Sequence, residues 1–359
     1  MSTVEDRNKA IVREAFDALF NRRDYAAAKR FWSPDYVQHS AHFAPGREGL
    51  FDLVKSLPAG LKHECDLIMV SGGLPGVSFP EVPGHGIAGH IEELGAGAQD
   101  HGWQVAVGWF GDSCGHCTSC REGDFIVCRN LKVPGWAYDG GFAEKVIAPV
   151  DALARIPDAV SAGDAGPMAC AGVTVFNGLR RSSARPGDLI ALLGLGGLGH
   201  LGVRYAIAMG FETVAIARGT EKADFAEQLG AHHYVDSTSG TPVAEALQSL
   251  GGAKVVLATA GNSEAITATV DGLAPRGELV VIGADTAPLG VNPAQLLMGA
   301  YIVRGHPAGT SQDVEDTMAF SALHGIRPIT EAVPLDRTDE AYQKMLAGKA
   351  RFRMVLTAG

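Results

Sequence analysis

Apolar positions along this chain fall into three regimes. Over residues 5–60 they recur at helical spacing, and Val12, Phe16, Leu19 and Phe20 form a stripe that predicts a first helix ending near Asn21. Asp24 stands where it can cap a short second helix running through Phe31. A third helix is predicted from about Gly46 to Leu57, stopped by Pro58 and Gly60, and L-K-H-E-C-D-L-I-M-V then reads as a strand. From Pro80 the texture changes to short β-branched runs between glycines: H-G-I-A-G-H-I-E-E-L-G, W-Q-V-A-V-G-W-F and G-F-A-E-K-V-I-A-P. Such runs predict a small barrel. From about Leu153 strands and helices alternate. The strands are D-L-I-A-L-L-G, T-V-A-I-A, H-H-Y-V-D, A-K-V-V-L-A-T-A and G-E-L-V-V-I-G-A, with helices to Met209 and Leu229. This alternation predicts a doubly wound parallel sheet, and the tail from about Gly305 ends on the strand F-R-M-V-L-T.

Composition narrows the class. At 359 residues there is chain for two or three domains, and 46% hydrophobic with 19% charged residues is ordinary for a globular protein. A net charge of −10 argues against a nucleic-acid or anionic-membrane partner, and no apolar stretch is long enough to span a bilayer. The opening M-S-T-V-E-D-R-N-K is polar and carries no signal-peptide pattern. Six cysteines, four of them in one closely spaced run that suits a metal, fit a reducing compartment, with the cytoplasm as the expected location.

Cys114, Cys117, Cys120 and Cys128 stand in C-G-H-C-T-S-C-R-E-G-D-F-I-V-C. Two-residue gaps let successive thiolates converge on one tetrahedral ion, and the fourth closes the shell, which marks a structural zinc rather than a catalytic one. A disulfide cluster fits poorly, because a two-residue gap closes a strained loop.

The run Gly194, Leu195, Gly196, Gly197, Leu198, Gly199 lies between an apolar strand and a helix. Glycine at the first two motif positions permits a tight turn and close backbone approach to a pyrophosphate, and Gly199 lets helix pack on strand. The helix N-terminus then offers its unpaired amides to the phosphates. The next strand ends at Ala217 without the acid that usually holds an NAD ribose, and Arg218 and Lys222 follow. An arginine there can pair with a 2′-phosphate, so NADP is expected over NAD.

With these motifs placed, the chain from about Gly73 onward resembles the zinc-containing medium-chain alcohol dehydrogenases, the yeast and cinnamyl-alcohol type above all. V-P-G-H, V-G-W-F-G-D-S-C-G-H-C-T-S-C, Y-D-G-G-F-A-E, A-C-A-G-V-T-V-F and G-L-G-G-L-G-H-L-G occur in family order. The resemblance implies a GroES-like domain, a Rossmann domain, a structural zinc and a catalytic zinc. His85 and Cys170 match two of the catalytic ligands, but Gly86 replaces the glutamate of the G-H-E motif and the C-H-[ST]-D segment is absent. Counting back from His85, that segment's positions hold His63, Glu64, Cys65 and Asp66. A His63–His85–Cys170 site is chemically feasible, as is zinc capture by Cys65. The resemblance also places Trp109 and Phe110 in the substrate pocket and Thr174 near the nicotinamide.

Residues 5–72 instead resemble the first part of SnoaL-like polyketide cyclases of the NTF2-like fold, through N-K-A-I-V-R-E-A-F-D-A-L-F-N-R-R-D-Y, W-S-P-D-Y-V-Q-H-S-A-H and P-G-R-E-G-L-F. On that likeness His63 and Cys65 are incidental; His39 and His42 read as loop histidines rather than catalysts, since a general base needs partners within hydrogen-bond reach. The expected organisation is an NTF2-like fragment over 1–72, a truncated GroES-like domain with the zinc lobe over 73–152, a Rossmann domain over 153–304 and a return to the catalytic domain over 305–359. Each truncated piece is expected to cover the other's exposed edge.

Three functions follow. The first is an NADP-dependent alcohol dehydrogenase or aldehyde reductase using a zinc at His85 and Cys170 on a small alcohol, aldehyde or ketone. The second is a reductase of the same family without catalytic zinc, acting on an activated C=C or C=O bond of a secondary-metabolite intermediate. The third is a cofactor-binding remnant. A homo-oligomer is left open.

Overall fold

The computed structural model describes residues 10–12, 14–33, 46–56, 82–95, 98–99 and 102–358. Three helical pieces come first: α1 (Asp17–Asn21), α2 (Tyr25–Ala28) and α3 (Gly46–Ser56). The ends match the apolar stripe, and Asp24 caps α2 by accepting the Ala27 amide at 2.9 Å. Ala18, Leu19, Phe51 and Val54 are buried together, and Trp32 meets Phe16 and Phe51 edge-on at centroid distances of 5.8 and 6.1 Å. Among the described residues these apolar faces bury one another in a cluster of their own. The first strand predicted for the cone, with His63, Cys65 and Asp66, lies outside the described residues, as do His39 and His42.

Strands β1 (Ile87–His90), β2 (Gln104–Val107) and β3 (Ala154–Arg155) make an antiparallel sheet in that order. Between β2 and β3 lies the cysteine lobe with its short helix α4 (Thr118–Arg121). The third predicted barrel strand, G-F-A-E-K-V-I-A-P, does not form. Its amides at Gly140, Gly141 and Phe142 donate to the carbonyls of Val82, Gly84 and Pro83, a turn contact that takes the bonds a ladder needs.

A near-continuous helical rod follows: α5 (Ala162–Pro167), a π turn at Met168–Gly172, and α6 (Val173–Arg180). Then come β4 (Leu189–Leu193), α7 (Gly199–Ala208), β5 (Glu212–Ala217), α8 (Ala223–Gln228), β6 (His233–Asp236), α9 (Val243–Ser249), β7 (Ala253–Ala258), α10 (Ser263–Thr267), β8 (Leu273–Val281), α11 (Pro293–Gly299) and β9 (Ile302–Gly305). All six strands are parallel in the order β6-β5-β4-β7-β8-β9. Successive residues of β4 alternate between two cores, Ile190 and Leu192 facing one and Ala191 and Leu193 the other, so the strand is apolar throughout. Strand order reverses between β4 and β7, and the crevice at their carboxyl ends is where such sheets bind ligands.

The chain then returns through α12 (Ser311–His324), β10 (Thr330–Pro334), α13 (Thr338–Leu346) and β11 (Arg353–Thr357), with β10 and β11 paired in parallel. Asp313 on α12 fastens this segment to α6, accepting Arg180 and Arg181 at 2.6 and 2.8 Å. Desolvation works against the Asp313 carboxylate, but the Thr310 amide and the two arginines outweigh it and hold its pKa below the ordinary value. Tyr205 on α7 and Ser321 on α12 share a buried hydrogen bond of 2.8 Å. Among the described residues no helix is long and apolar enough to cross a membrane.

Candidate active site and zinc centre

The four predicted cysteines converge. Cys117 Sγ lies 3.5 Å from Cys120 and 3.9 Å from Cys128, Cys128 lies 3.5 Å from Cys114, and all four sulfurs fall within 4.8 Å of one another. A tetrahedral zinc with bonds of about 2.3 Å spaces its sulfurs about 3.8 Å apart, so the donor set fits the ion. Cys117 caps α4, Cys120 rides on it, and positive φ at Gly115 and Gly123 turns the chain back at either end. The amides of Cys114 and Asn130 each reach Cys128 Sγ at 3.3 Å. Backbone amides of His116 and Cys117 bring Cys114 down to about 6, while desolvation and the neighbouring thiols push Cys120 up to about 11. A dication takes all four as thiolates and removes that conflict. All five described cysteines are free of disulfides.

Cys170 sits in the π turn between α5 and α6, and His85 enters from the turn ahead of β1. His85 Nε2 and Cys170 Sγ are 3.1 Å apart. Desolvation pushes the Cys170 thiol up, but the charge and hydrogen bond of His85, with Arg353 beside them, outweigh it and hold the thiol down to about 7. His85 is likewise depressed by desolvation and raised more strongly by Cys170. The two donors are placed to share a metal, and His63, the third expected ligand, lies outside the described residues. Gly86, where the family motif has glutamate, is tightly backed: a Cβ there would stand 2.8 Å from the Gly166 carbonyl oxygen.

Trp109 closes one side of this pair, its ring edge-on to His85 at 5.1 Å and to Trp136 at 5.9 Å. Beyond it an open pocket of about 320 Å³, lined by Trp109, Cys128, Arg129, Leu131, Val133, Trp136 and Ala137, runs along the cysteine lobe. Phe110, expected beside Trp109 in the pocket, is only 5% exposed. The Thr174 hydroxyl donates to the Cys170 carbonyl at 2.7 Å, an intrahelical bond that occupies its proton.

The glycine run forms the turn from β4 into α7. Gly194 adopts φ +101°, and a Cβ on Gly199 would lie 1.8 Å from the Gly194 carbonyl oxygen, so neither position admits a side chain. A Cβ on Gly196 would meet nothing within 4 Å, which leaves the backbone open for a phosphate to approach. Thr259 donates to the carbonyls of Leu193 and Gly194 and steadies the turn. Two residues that the motif reading passed over complete it. Arg353 reaches in from β11, its Cδ 3.0 Å and Nη1 3.3 Å from where a Gly197 Cβ would stand. His200, wholly buried, bonds the Gly196 carbonyl at 2.8 Å.

At the end of β5, the exposed Arg218 and the half-buried Lys222 have no ion-pair partner among the described residues. The Gly219 amide donates to Asp236 at 2.8 Å, and Tyr234 donates to the Gly219 carbonyl at 2.5 Å. The Glu221 carboxylate folds back over Gly219, 2.0 Å from a Cβ placed there.

Comparison with known proteins agrees with this geometry. Residues 53–158 match the alcohol dehydrogenase GroES-like domain model, and residues 197–322 match the zinc-binding dehydrogenase model. The GroES-like match begins before Gly73, so the dehydrogenase likeness reaches into α3. An alcohol dehydrogenase of Penicillium expansum, patD, is 40% identical over 307 residues, covering 85% of this chain and 89% of its own. The cinnamyl alcohol dehydrogenase of Sorghum bicolor superposes with a TM-score of 0.72 at 29% identity, over 78% of this chain and 82% of that one. An enzyme titled CAD from Helicobacter pylori, complexed with NADP(H), gives 0.70 at 25% identity, over 78% and 82%. The chain belongs to the zinc-type medium-chain alcohol dehydrogenases. It is an oxidoreductase that uses a nicotinamide cofactor.

Proposed function

We propose that the protein is an NADP-dependent zinc alcohol dehydrogenase or aldehyde reductase acting on a small alcohol, aldehyde or ketone. The carrying observation is the His85–Cys170 pair, 3.1 Å apart, with Arg353 linking it to the glycine turn. When bound, a nicotinamide supplies or accepts hydride at the substrate carbon and a zinc acts as Lewis acid toward its oxygen. The chain's own residues do the rest. His85 and Cys170 hold the metal, together with a third ligand for which His63 is the candidate. Trp109 shields the pair on one side, Gly194, Gly196, Gly197, Leu198 and Gly199 receive the phosphates, and Arg353 adds a cation beside them. Thr174, its hydroxyl engaged, contributes shape at the nicotinamide end. Names of relatives that carry alcohol and cinnamyl alcohol support the substrate class.

NADP over NAD rests on Arg218 and Lys222 and on the missing acid at Ala217. Glu221, folded over Gly219, opposes a 2′-phosphate there, and binding one requires its carboxylate to give way. One observation favours the second reading, a reductase without catalytic zinc acting on an activated C=C or C=O bond: the Arg353 charge helps hold the Cys170 thiol down, and a cation there competes with a metal. A cofactor-binding remnant is the third reading. Metal content measured with NADPH oxidation over an aldehyde and enone panel separates them.

For organisation we propose the divisions 1–72, 73–152, 153–304 and 305–359, with a SnoaL/NTF2-like fragment first, while the dehydrogenase likeness already begins at residue 53. Truncating at Trp32 with retention of fold and activity would argue against that segment being integral. Exposed Leu297 and Met298, at 79% and 85% beside edge strand β9, support self-association, which sedimentation tests.

A further inference from the structure

His200 is the residue of the glycine run that the chemistry leaves unexplained. It is fully buried, yet both ring nitrogens are engaged. The Ile329 amide can only donate, and it lies 3.1 Å from Nε2. Nε2 is therefore the acceptor, Nδ1 carries the proton, and Nδ1–H donates to the Gly196 carbonyl at 2.8 Å. One tautomer satisfies both bonds, and it ties the cofactor turn to a segment 129 residues further on.

The far side of that link leads to Arg353. The Ile329 carbonyl accepts the amides of Phe352 and Arg353 at 3.0 and 3.1 Å. Phe352 stacks on the His200 ring, centroids 5.1 Å apart and planes 20° from parallel. From this anchored backbone the Arg353 side chain crosses to Gly197.

We propose that His200 is a positioning residue: through Ile329 it sets Arg353 over the glycine turn, so that the arginine meets the cofactor's phosphates with its backbone already fixed. This rests on the reading of a nicotinamide dinucleotide at that turn. A merely structural histidine would affect melting alone, whereas a positioning one acts on cofactor affinity and acts only while Arg353 is present.

The two arms of the ring can be separated. Asparagine brings its amide to the place of Nδ1 and keeps only the bond to Gly196; glutamine reaches the place of Nε2 and keeps the bond to Ile329. NADPH and NADH dissociation constants are measured by fluorescence titration of parent, His200→Asn, His200→Gln, Arg353→Ala and the double variant. Losing an oriented, charge-assisted contact to phosphate costs about tenfold in affinity. The expected result is a weakening of about that size in His200→Asn, near-parent binding in His200→Gln, and no further loss when His200→Asn is added to Arg353→Ala. If the asparagine variant does not fold, His200→Gln carries the test, and a tenfold weakening there overturns the proposal. Equal affinities in all His200 variants, or full additivity with Arg353→Ala, overturn it while leaving the dehydrogenase reading intact. A parent that binds neither dinucleotide overturns that reading and this proposal with it.

Discussion

His85 Nε2 stands 3.1 Å from Cys170 Sγ although 85 residues separate them in the chain. The histidine comes from the barrel and the cysteine from the helical rod that leads into the parallel sheet, so the pair forms only when the two are packed. A metal bound there would stabilise the native state by mass action, since the unfolded chain does not assemble the pair.

The closed thiolate shell makes the first prediction. Cys117→Ser removes one of four sulfurs that already lie within 4.8 Å of one another. Structural zinc binding is worth about 10 kcal/mol or more in small domains, so losing even half of it should lower Tm by roughly 10 °C. Differential scanning calorimetry with zinc analysis checks this, and an unchanged Tm with zinc lost would contradict it.

Cofactor choice supplies the second. Arg218→Ala should cost NADPH about tenfold in affinity and leave NADH nearly unchanged, because only NADPH offers the 2′-phosphate. Glu221→Gln should act in the opposite direction, since it removes the carboxylate now folded over Gly219. Competitive titrations of both cofactors decide; equal parent affinities for NADPH and NADH would sink the assignment.

Why these sites were legible, while others were not, follows from the range of the interactions. The cysteine lobe and the glycine turn are local, built from residues within fifteen positions, and two of the motif glycines stand where a Cβ is excluded, Gly194 by its positive φ and Gly199 by the Gly194 carbonyl. Asp24 could be read as a cap because its bond spans three residues. Arg353 was invisible: its strand was expected, but what its side chain meets is decided by packing against Gly197, far back along the chain. His200 lay inside a quoted motif, yet its partner Ile329 is 129 residues away. Strand β8 begins at Leu273 rather than near Gly277 because the chain keeps pairing through an irregular register, with Arg276 at φ 59°. Helices α1–α3 are legible as elements, but an amphipathic stripe does not name the face it will meet.

The third prediction concerns pH. Burial, with Arg353 and Arg204 nearby, lowers the His200 pKa to about 4, against 6.5 for the free residue. The unfolded state then binds more protons between these values. Stability contributed by His200 is complete above about pH 6.5 and declines as pH falls toward 4. The full difference is on the order of 3 kcal/mol. Urea denaturation of the parent and of His200→Gln across this window should show a shallower pH dependence in the variant. Parallel curves would contradict the assignment.

The most direct measurement of the whole account is zinc per chain in the active protein, determined alongside His85→Ala and Cys170→Ala. A zinc dehydrogenase predicts about two ions per chain, falling to about one in each variant with loss of NADPH-dependent aldehyde reduction and little change in Tm from the cysteine lobe. One ion per chain in a fully active parent, unchanged by Cys170→Ala, would contradict it.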